Sequence, residues 1–269
     1  MSDHLLRDLA PISDAAWAAI DDEARSRLAA QLAARKLVDF NGPVGWGHSA
    51  VNLGRAIEIA APADGVVAAQ RSVLPLVELR VQFALARDEL DAVDRGARDI
   101  DLSALDTAAR ALALSENRAV FHGYAPGAIL GIAEASSHDV ITLESEVDRY
   151  PVAVARAVDA LRKAGIDGPY GIAIAPEIYT EIVETTEHGG YPLFDHLKEI
   201  LGGAIVWAPG VDCGVVVSQR GGDLVLESGE DIAIGYRHHD ADDVSLFLEE
   251  SFTFRVLEPD AAVILRSAS

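Results

Sequence analysis

The sequence predicts an α+β fold. Three observations carry that expectation: a helical apolar stripe near the start, a long stretch of period-two alternation at residues 50–83, and a last third dominated by short strands. Strands and helices are segregated rather than regularly alternating, which separates this class from α/β folds. With 269 residues, 50% of them hydrophobic, the chain is long enough for one large domain or two joined ones.

The elements follow in order. Ser13 is a suitable N-cap, and Trp17, Ile20, Ala24, Leu28 and Leu32 recur every three or four positions, so residues 13–36 are expected as one amphipathic helix. Arg25, Arg27, Arg35 and Lys36 lie toward its C-terminal half, where the dipole favours cations, and Phe40-Asn41-Gly42-Pro43 ends it. Residues 50–83 alternate around a Pro62-Ala63-Asp64-Gly65 turn and read as a two-stranded ribbon with its tip near Asp64. Such a ribbon is marginal alone in water, so it is expected to pack on a neighbouring subunit.

Helices are expected at Ala86–Arg95, Ser103–Asn117 and Val152–Lys163, the last turning Ala155, Val158 and Leu161 inward. Residues 119–142 read as loop with short strands. A buried strand at Tyr170–Ala175 leads into a helix opened by Pro176, then a loop at 188–192 and a helix at Phe194–Leu201. Strands are expected at 204–207, 211–218, 224–227, 232–236 and 244–256, with Gln219–Asp223 as a hairpin turn.

The net charge is −21, from 22 Lys+Arg against 43 Asp+Glu. Binding a nucleic-acid backbone or an anionic lipid surface needs clustered cations, so neither partner is expected. The one cysteine, Cys213, excludes a disulfide framework and fits a reducing compartment. No apolar run suits a signal peptide or a membrane span, so the expected location is cytoplasmic.

No catalytic constellation emerges. His238, His239, Asp240, Asp242 and Asp243 could ligate a metal or form a solvated loop between strands; no further ligand at helical spacing accompanies them. Cys213, beside an apolar Val run, suits a buried site better than a nucleophile's. Gly42–Gly47 lacks the ending of a phosphate loop, and no serine sits in a nucleophile elbow. Glu144 and Glu146 fit a solvated acidic face. These residues lead to no enzyme activity, no resident metal and no cofactor.

Several phrases, in order along the chain, resemble the encapsulins, bacterial nanocompartment shell proteins also known as linocin-like. They are Leu9–Ser13 with Trp17, Ala34–Asp39, Gly42–Trp46, Leu74–Arg80, Glu89–Asp91 with Arg95-Gly96, Gly168–Tyr170, His188–Leu193, Ser218–Asp223, Asp231–Tyr236 and Glu250–Phe254. The resemblance implies a tailed-phage major-capsid-like fold of the Hong Kong 97 type. Residues 1–49 would form the N-terminal helix and start of a peripheral domain, 50–83 the extended loop, 84–135 more peripheral domain, 136–226 the axial domain, and 227–269 a return to the peripheral domain.

It further implies an icosahedral homo-oligomer of about 60 subunits, the number of equivalent positions in the simplest such shell. The shell would enclose a cargo enzyme, a dye-decolourising peroxidase or a ferritin-like protein, through the cargo's C-terminal peptide. The matching dock is Arg35, Leu37 and Asp39 with Ile232, Ile234 and Phe247, although these aliphatics equally suit an ordinary core. The fivefold pore loop would comprise Glu184, Glu187, His188, Gly189, Gly190 and Tyr191, whose carboxylates favour cations. Some members carry a flavin near the helix matching Ala86–Arg95; that segment has no aromatic residue here, so none is expected.

Two alternatives remain. A phage or prophage major capsid protein would share the fold, but the helix follows almost at once with no scaffolding extension, and so acidic a chain suits packaged DNA poorly. Related proteins have also been labelled protease or bacteriocin, a reading without a catalytic constellation behind it.

Overall fold

The computed structural model describes residues 4–144, 146–187, 190–212 and 214–267. Its elements are α1 (Asp14–Gln31), β1 (Asp39–Asn41), β2 (Ala50–Ile59), β3 (Ala68–Pro75), β4 (Val77–Ala86), α2 (Arg87–Asp94), α3 (Ser103–His122), α4 (Ile132–Ala135), β5 (Ile141–Leu143), α5 (Tyr150–Lys163), β6 (Tyr170–Ile174), α6 (Pro176–Glu184), α7 (Leu193–Leu201), β7 (Gly202–Trp207), β8 (Gly214–Ser218), β9 (Leu224–His239), β10 (Asp243–Val256) and β11 (Ala262–Ser267).

Two sheets organise the chain. One has the order β1-β9-β10-β4 and is antiparallel except for β1 along β9. Helices α1 and α3 cover it, burying Trp17, Ile20, Leu105 and Leu112 against Phe83, Leu85, Leu246 and Leu248. The other has the order β5-β11-β8-β6-β7 and packs against α5 and α7 through Val154, Leu161, Leu197, Ile172, Val216 and Val263. A third apolar cluster, with Phe121, Ile129, Val217, Phe252 and Phe254, joins the two. Each such Leu, Ile or Phe contributes about 1.5–3 kcal/mol by leaving water.

The opening helix is shorter than its stripe. The Ser13 hydroxyl accepts from the Ala16 N–H at 3.1 Å, as expected of the cap, but α1 stops at Gln31. Asn117, buried on α3, ends it. Its Oδ1 accepts the Ala33 and Ala34 N–H groups at 3.0 and 3.1 Å, and its Nδ2 donates to the Gln31 and Pro209 carbonyls at 2.9 and 3.0 Å. All four hydrogen-bonding positions of the amide are used, so the chain is held in a turn there. Arg35 and Lys36 consequently sit beyond the helix rather than on its last turn.

The ribbon is β2 paired with β3, a separate two-stranded sheet. Residues 77–83, expected in it, belong instead to β4, which pairs with β10 from Val77 to Ala86. The division falls at Pro75, which has no N–H to donate. Ile57, Ile59, Val66, Val67 and Val73 are exposed on the ribbon, Val67 to 84%.

Other differences have local causes. Helix α3 runs on to His122, and helix α4 follows, where loop with short strands was expected; β5 is one such short strand. Gly131 fits because its backbone crosses that of Gly123: a Cβ there would lie 2.1 Å from the Gly123 nitrogen. On α5, Ala155 points to solvent while Ala153, Val154, Ala157, Val158 and Leu161 turn inward. Gln219–Asp223 is no hairpin: β8 pairs with β6 and β11, and β9 with β1 and β10, so the turn carries the chain between sheets. Both faces of β8 are buried, which places it inside a sheet.

Strand β9 is continuous from 224 to 239, where two strands were expected. Its register shifts around Ser228–Glu230 absorb the interruption as a bulge. Strand β11 joins the five-stranded sheet, so residues 262–267 leave the return path expected for 227–269. The hairpin proper links β9 to β10, and the Asp240 carboxylate accepts the Asp242 and Asp243 N–H groups at 2.9 and 2.8 Å. That carboxylate of the His/Asp cluster therefore closes a turn, and His239 Nδ1 lies 2.6 Å from the Tyr236 hydroxyl. Cys213 lies outside the described residues.

Candidate functional site

A groove of about 530 Å³ opens between α1 and the four-stranded sheet. Ala24, Leu28 and Leu32 of α1, Ile232 and Ile234 of β9, and Leu248 of β10 form its apolar wall. Arg7, Asp21, Arg25, Arg35 and Asp231 supply its charges. Arg7 and Asp21 form a two-pronged pair at 3.0 and 2.8 Å, with the Arg7 guanidinium 3.9 Å from the Trp17 ring centroid. An apolar trough with fixed charges is the form that binds an extended peptide: pockets take alternate side chains, and ion pairs set register.

Arg35 anchors the groove from below. Its Nε and Nη2 donate to Glu116 Oε2 at 2.8 and 2.6 Å, Nη1 to Asp231 Oδ1 at 2.6 Å, and Nη2 to Glu250 Oε2 at 3.1 Å. Burial by itself would lower the guanidinium's pKa, but the charges of Glu116, Asp231 and Glu250 outweigh it and hold the group charged. Glu116 and Glu250 are fully buried, and their Oε1 atoms have no hydrogen-bond partner among the described residues. One cation thus serves three carboxylates. Burial, and then the charge of Glu116, push the Glu250 carboxyl well above the ordinary range, while Arg35 opposes them.

A carboxyl raised on folding contributes stability below its unfolded pKa and loses that contribution as pH rises through the folded value. Glu250→Gln, which mimics the protonated form, should therefore remove a decline in stability on the alkaline side of pH 4.5. Urea unfolding of parent and variant from pH 4.5 to 8 checks this: the difference between them should move in the variant's favour as pH rises.

The structure brings Arg35, Ile232 and Ile234 together as the sequence reading expected, and separates them from Leu37, Asp39 and Phe247. Leu37 is core, packed so closely on Gly171 that a Cβ there would lie 2.5 Å from Leu37 Cδ2. Asp39 accepts the Gly222 N–H at 2.5 Å in a second, smaller cleft. Phe247 alternates with Leu246 and Leu248 and so points to the other face of the sheet, against Gly235, with the Arg80 guanidinium 4.3 Å from its ring centroid. Leu248, opposite Ile234 in the β9–β10 register, takes the place assigned to Phe247. Leu28 and Leu32 were read only as a core stripe.

The second expected site is the loop between α6 and α7. Glu184 is exposed at the end of α6. Glu187 Oε1 lies 2.8 Å from His196 Nδ1, and the Tyr191 hydroxyl donates to Glu199 Oε1 at 3.0 Å, so both side chains are tied to α7. The hydrogen bond to the Glu199 carboxylate, followed by burial, raises the Tyr191 phenol above its usual pKa. The Glu187 N–H donates to the Tyr191 carbonyl at 2.8 Å, and the Gly190 N–H to the Glu187 carbonyl at 2.9 Å. His188 and Gly189 lie outside the described residues.

Among the described residues no helix is long and apolar enough to cross a membrane. The Linocin_M18 family model, described as "Encapsulating protein for peroxidase", matches residues 2–253. The type 1 encapsulin shell protein of Rhodospirillum rubrum is 49% identical over 271 residues, covering 98% of this chain and 97% of that one. The virus-like particle subunit of Pyrococcus furiosus aligns with a TM-score of 0.63 at 22% identity, over 94% and 98% of the two chains. The mycobacteriophage Ogopogo structure aligns with a TM-score of 0.56 at 14% identity, over 88% and 92%. At those identities the two structures share the capsid-type fold alone.

Proposed function

The chain belongs to the Linocin_M18 family of encapsulating proteins and is a shell protomer; from that premise we propose that the groove between α1 and β9 receives the C-terminal peptide of a cargo enzyme. The shell is an icosahedral homo-oligomer of about 60 subunits, located in the cytoplasm, and contributes no catalysis of its own. The ribbon β2–β3 is its extended loop, the five-stranded sheet with α5–α7 its axial domain, and the four-stranded sheet with α1–α3 its peripheral domain. The loop carrying Glu184, Glu187, His188, Gly189, Gly190 and Tyr191 lines the fivefold pore.

The observation that carries the docking proposal is the groove itself: an aliphatic wall with Arg7–Asp21 and Arg35–Asp231 ion pairs along a trough that the chain leaves open. A peroxidase is the first cargo to test, because the matched family is described by that encapsulation; a ferritin-like protein is the second. Ile232 is half-buried, so Ile232→Asp should leave folding and assembly intact. Losing one apolar anchor of about 1.5–3 kcal/mol should cut loading at least about tenfold, the factor that corresponds to about 1.4 kcal/mol. The check is co-expression with a tailed peroxidase, followed by quantifying haem absorbance per shell. Equal loading of parent and variant shells would refute the dock.

A further inference from the structure

Three side chains outside the groove converge at the start of the chain. His4 Nε2 lies 2.8 Å from Glu230 Oε2 on β9 and 3.0 Å from Glu249 Oε1 on β10. Among the described residues this is the cluster of His, Cys, Asp and Glu whose ligand atoms all fall within 4.8 Å of one another. Trp46 stacks on the imidazole, with centroids 4.5 Å apart and planes 14° apart, which fixes the ring's plane. The His4 and Glu230 side chains keep 14% and 17% exposure, so the cluster is reachable from solvent, whereas Glu249 is 1% exposed.

A proton satisfies this arrangement badly. Nε2 can donate one hydrogen, and Glu230 Oε2 is its hydrogen-bond partner. Glu249 Oε1, though 3.0 Å away, is buried with no hydrogen-bond partner. Glu249 has spent its other oxygen: Arg80 Nε donates to Oε2 at 2.8 Å, and Arg80 Nη2 donates to the same atom. Arg80 thereby holds Oε2 and leaves Oε1 facing the imidazole. Burial raises the Glu230 carboxyl, against the opposing effect of His4, and Glu249 raises it further, as two carboxylates facing one imidazole nitrogen should. A divalent cation satisfies both oxygens at once and takes the nitrogen lone pair as a third ligand.

We propose that His4, Glu230 and Glu249 form a site for a first-row divalent cation, which clamps the N-terminal segment onto the four-stranded sheet. One imidazole and two carboxylates are a donor set for Zn²⁺, Co²⁺ or Mn²⁺, and three protein ligands leave room for water. Moving from hydrogen-bond distances to a metal requires the three atoms to spread slightly around metal–ligand bonds of about 2.0–2.2 Å. The clamp also bears on the groove, because Arg7, three residues after His4, lines it, and the Leu5 carbonyl accepts the Tyr236 N–H at 2.7 Å.

The test uses the full chain, stripped with a chelator and titrated with Zn²⁺ alone in a calorimeter and with Co²⁺ alone by visible absorbance. The parent should bind one equivalent per subunit. His4→Ala and Glu230→Gln should each weaken that step at least about tenfold, the smaller of the losses that removing even an outer-shell partner causes. Zn²⁺ should raise the thermal midpoint of the parent and not of His4→Ala. Equal titrations for parent and both variants would overturn the site and leave diffuse binding to an acidic surface. Stoichiometry per subunit reads the same whether or not the chains assemble, so this outcome is separate from that of the shell reading.

Discussion

Arg35→Met is expected to destabilise the subunit by about 3–5 kcal/mol, the cost of breaking a buried ion pair from one side. Glu116 and Glu250 would be left facing each other, fully buried, with only the half-exposed Asp231 beside them and no cation. Arg35→Lys should recover only part of the loss, because an ammonium is a single point and cannot hold three carboxylates in the directions that Nε, Nη1 and Nη2 reach. The triple variant Arg35→Met, Glu116→Gln, Glu250→Gln should recover most of it, since the penalty lies in uncompensated charge rather than in lost attraction. Urea unfolding of the four proteins decides: a single Met variant as stable as the parent would show that the cluster is solvated.

Replacing residues 53–72 with a short turn should leave the subunit folded and abolish assembly. Strands β2 and β3 pair only with each other, and the exposed Ile57, Ile59, Val66 and Val67 between them contribute to none of the three apolar clusters. Deleting them removes nothing from those clusters. On the proposed reading of the ribbon as the shell's extended loop, it removes from the joints between subunits aliphatic side chains worth about 1.5–3 kcal/mol each when buried. Size-exclusion chromatography should then find small species at concentrations where the parent is a particle, with unchanged far-ultraviolet dichroism per residue of the two sheets. Particles of parental size would show that the ribbon is dispensable.

The fold was legible where the pattern was local. Ser13 announced the start of α1, Pro176 that of α6, and the alternation of Leu246, Leu248, Phe252 and Phe254 one face of β10. It was illegible where a distant residue decides. The end of α1 depends on Asn117, and the continuity of β9 through Ser228–Asp231 depends on charges whose partners, His4 and Arg35, lie 226 and 196 positions away. Turn chemistry at Gln219–Asp223 says that the chain reverses, not which sheet it enters. The groove followed the same rule. Arg35, Ile232 and Ile234 line one groove, whereas the side of the sheet that Phe247 and Leu248 each face depends on the pairing of β10 with β9, which the local pattern does not give. The pair of carboxylates opposite His4 had no local signature at all.

The ribbon, proposed above as the shell's extended loop, is also a hazard to unassembled chains. Each lone chain carries two open strand edges and a bare aliphatic tip, the combination that templates wrong pairing. The formal charge of −21 then acts as a brake on encounter, because chains of one sign repel once they approach within about 8 Å, the screening length at physiological ionic strength. Low salt should slow growth of correct and incorrect particles alike. Moderate salt should release both, leaving the fit of the ribbon on its proper neighbour to choose between particle and precipitate.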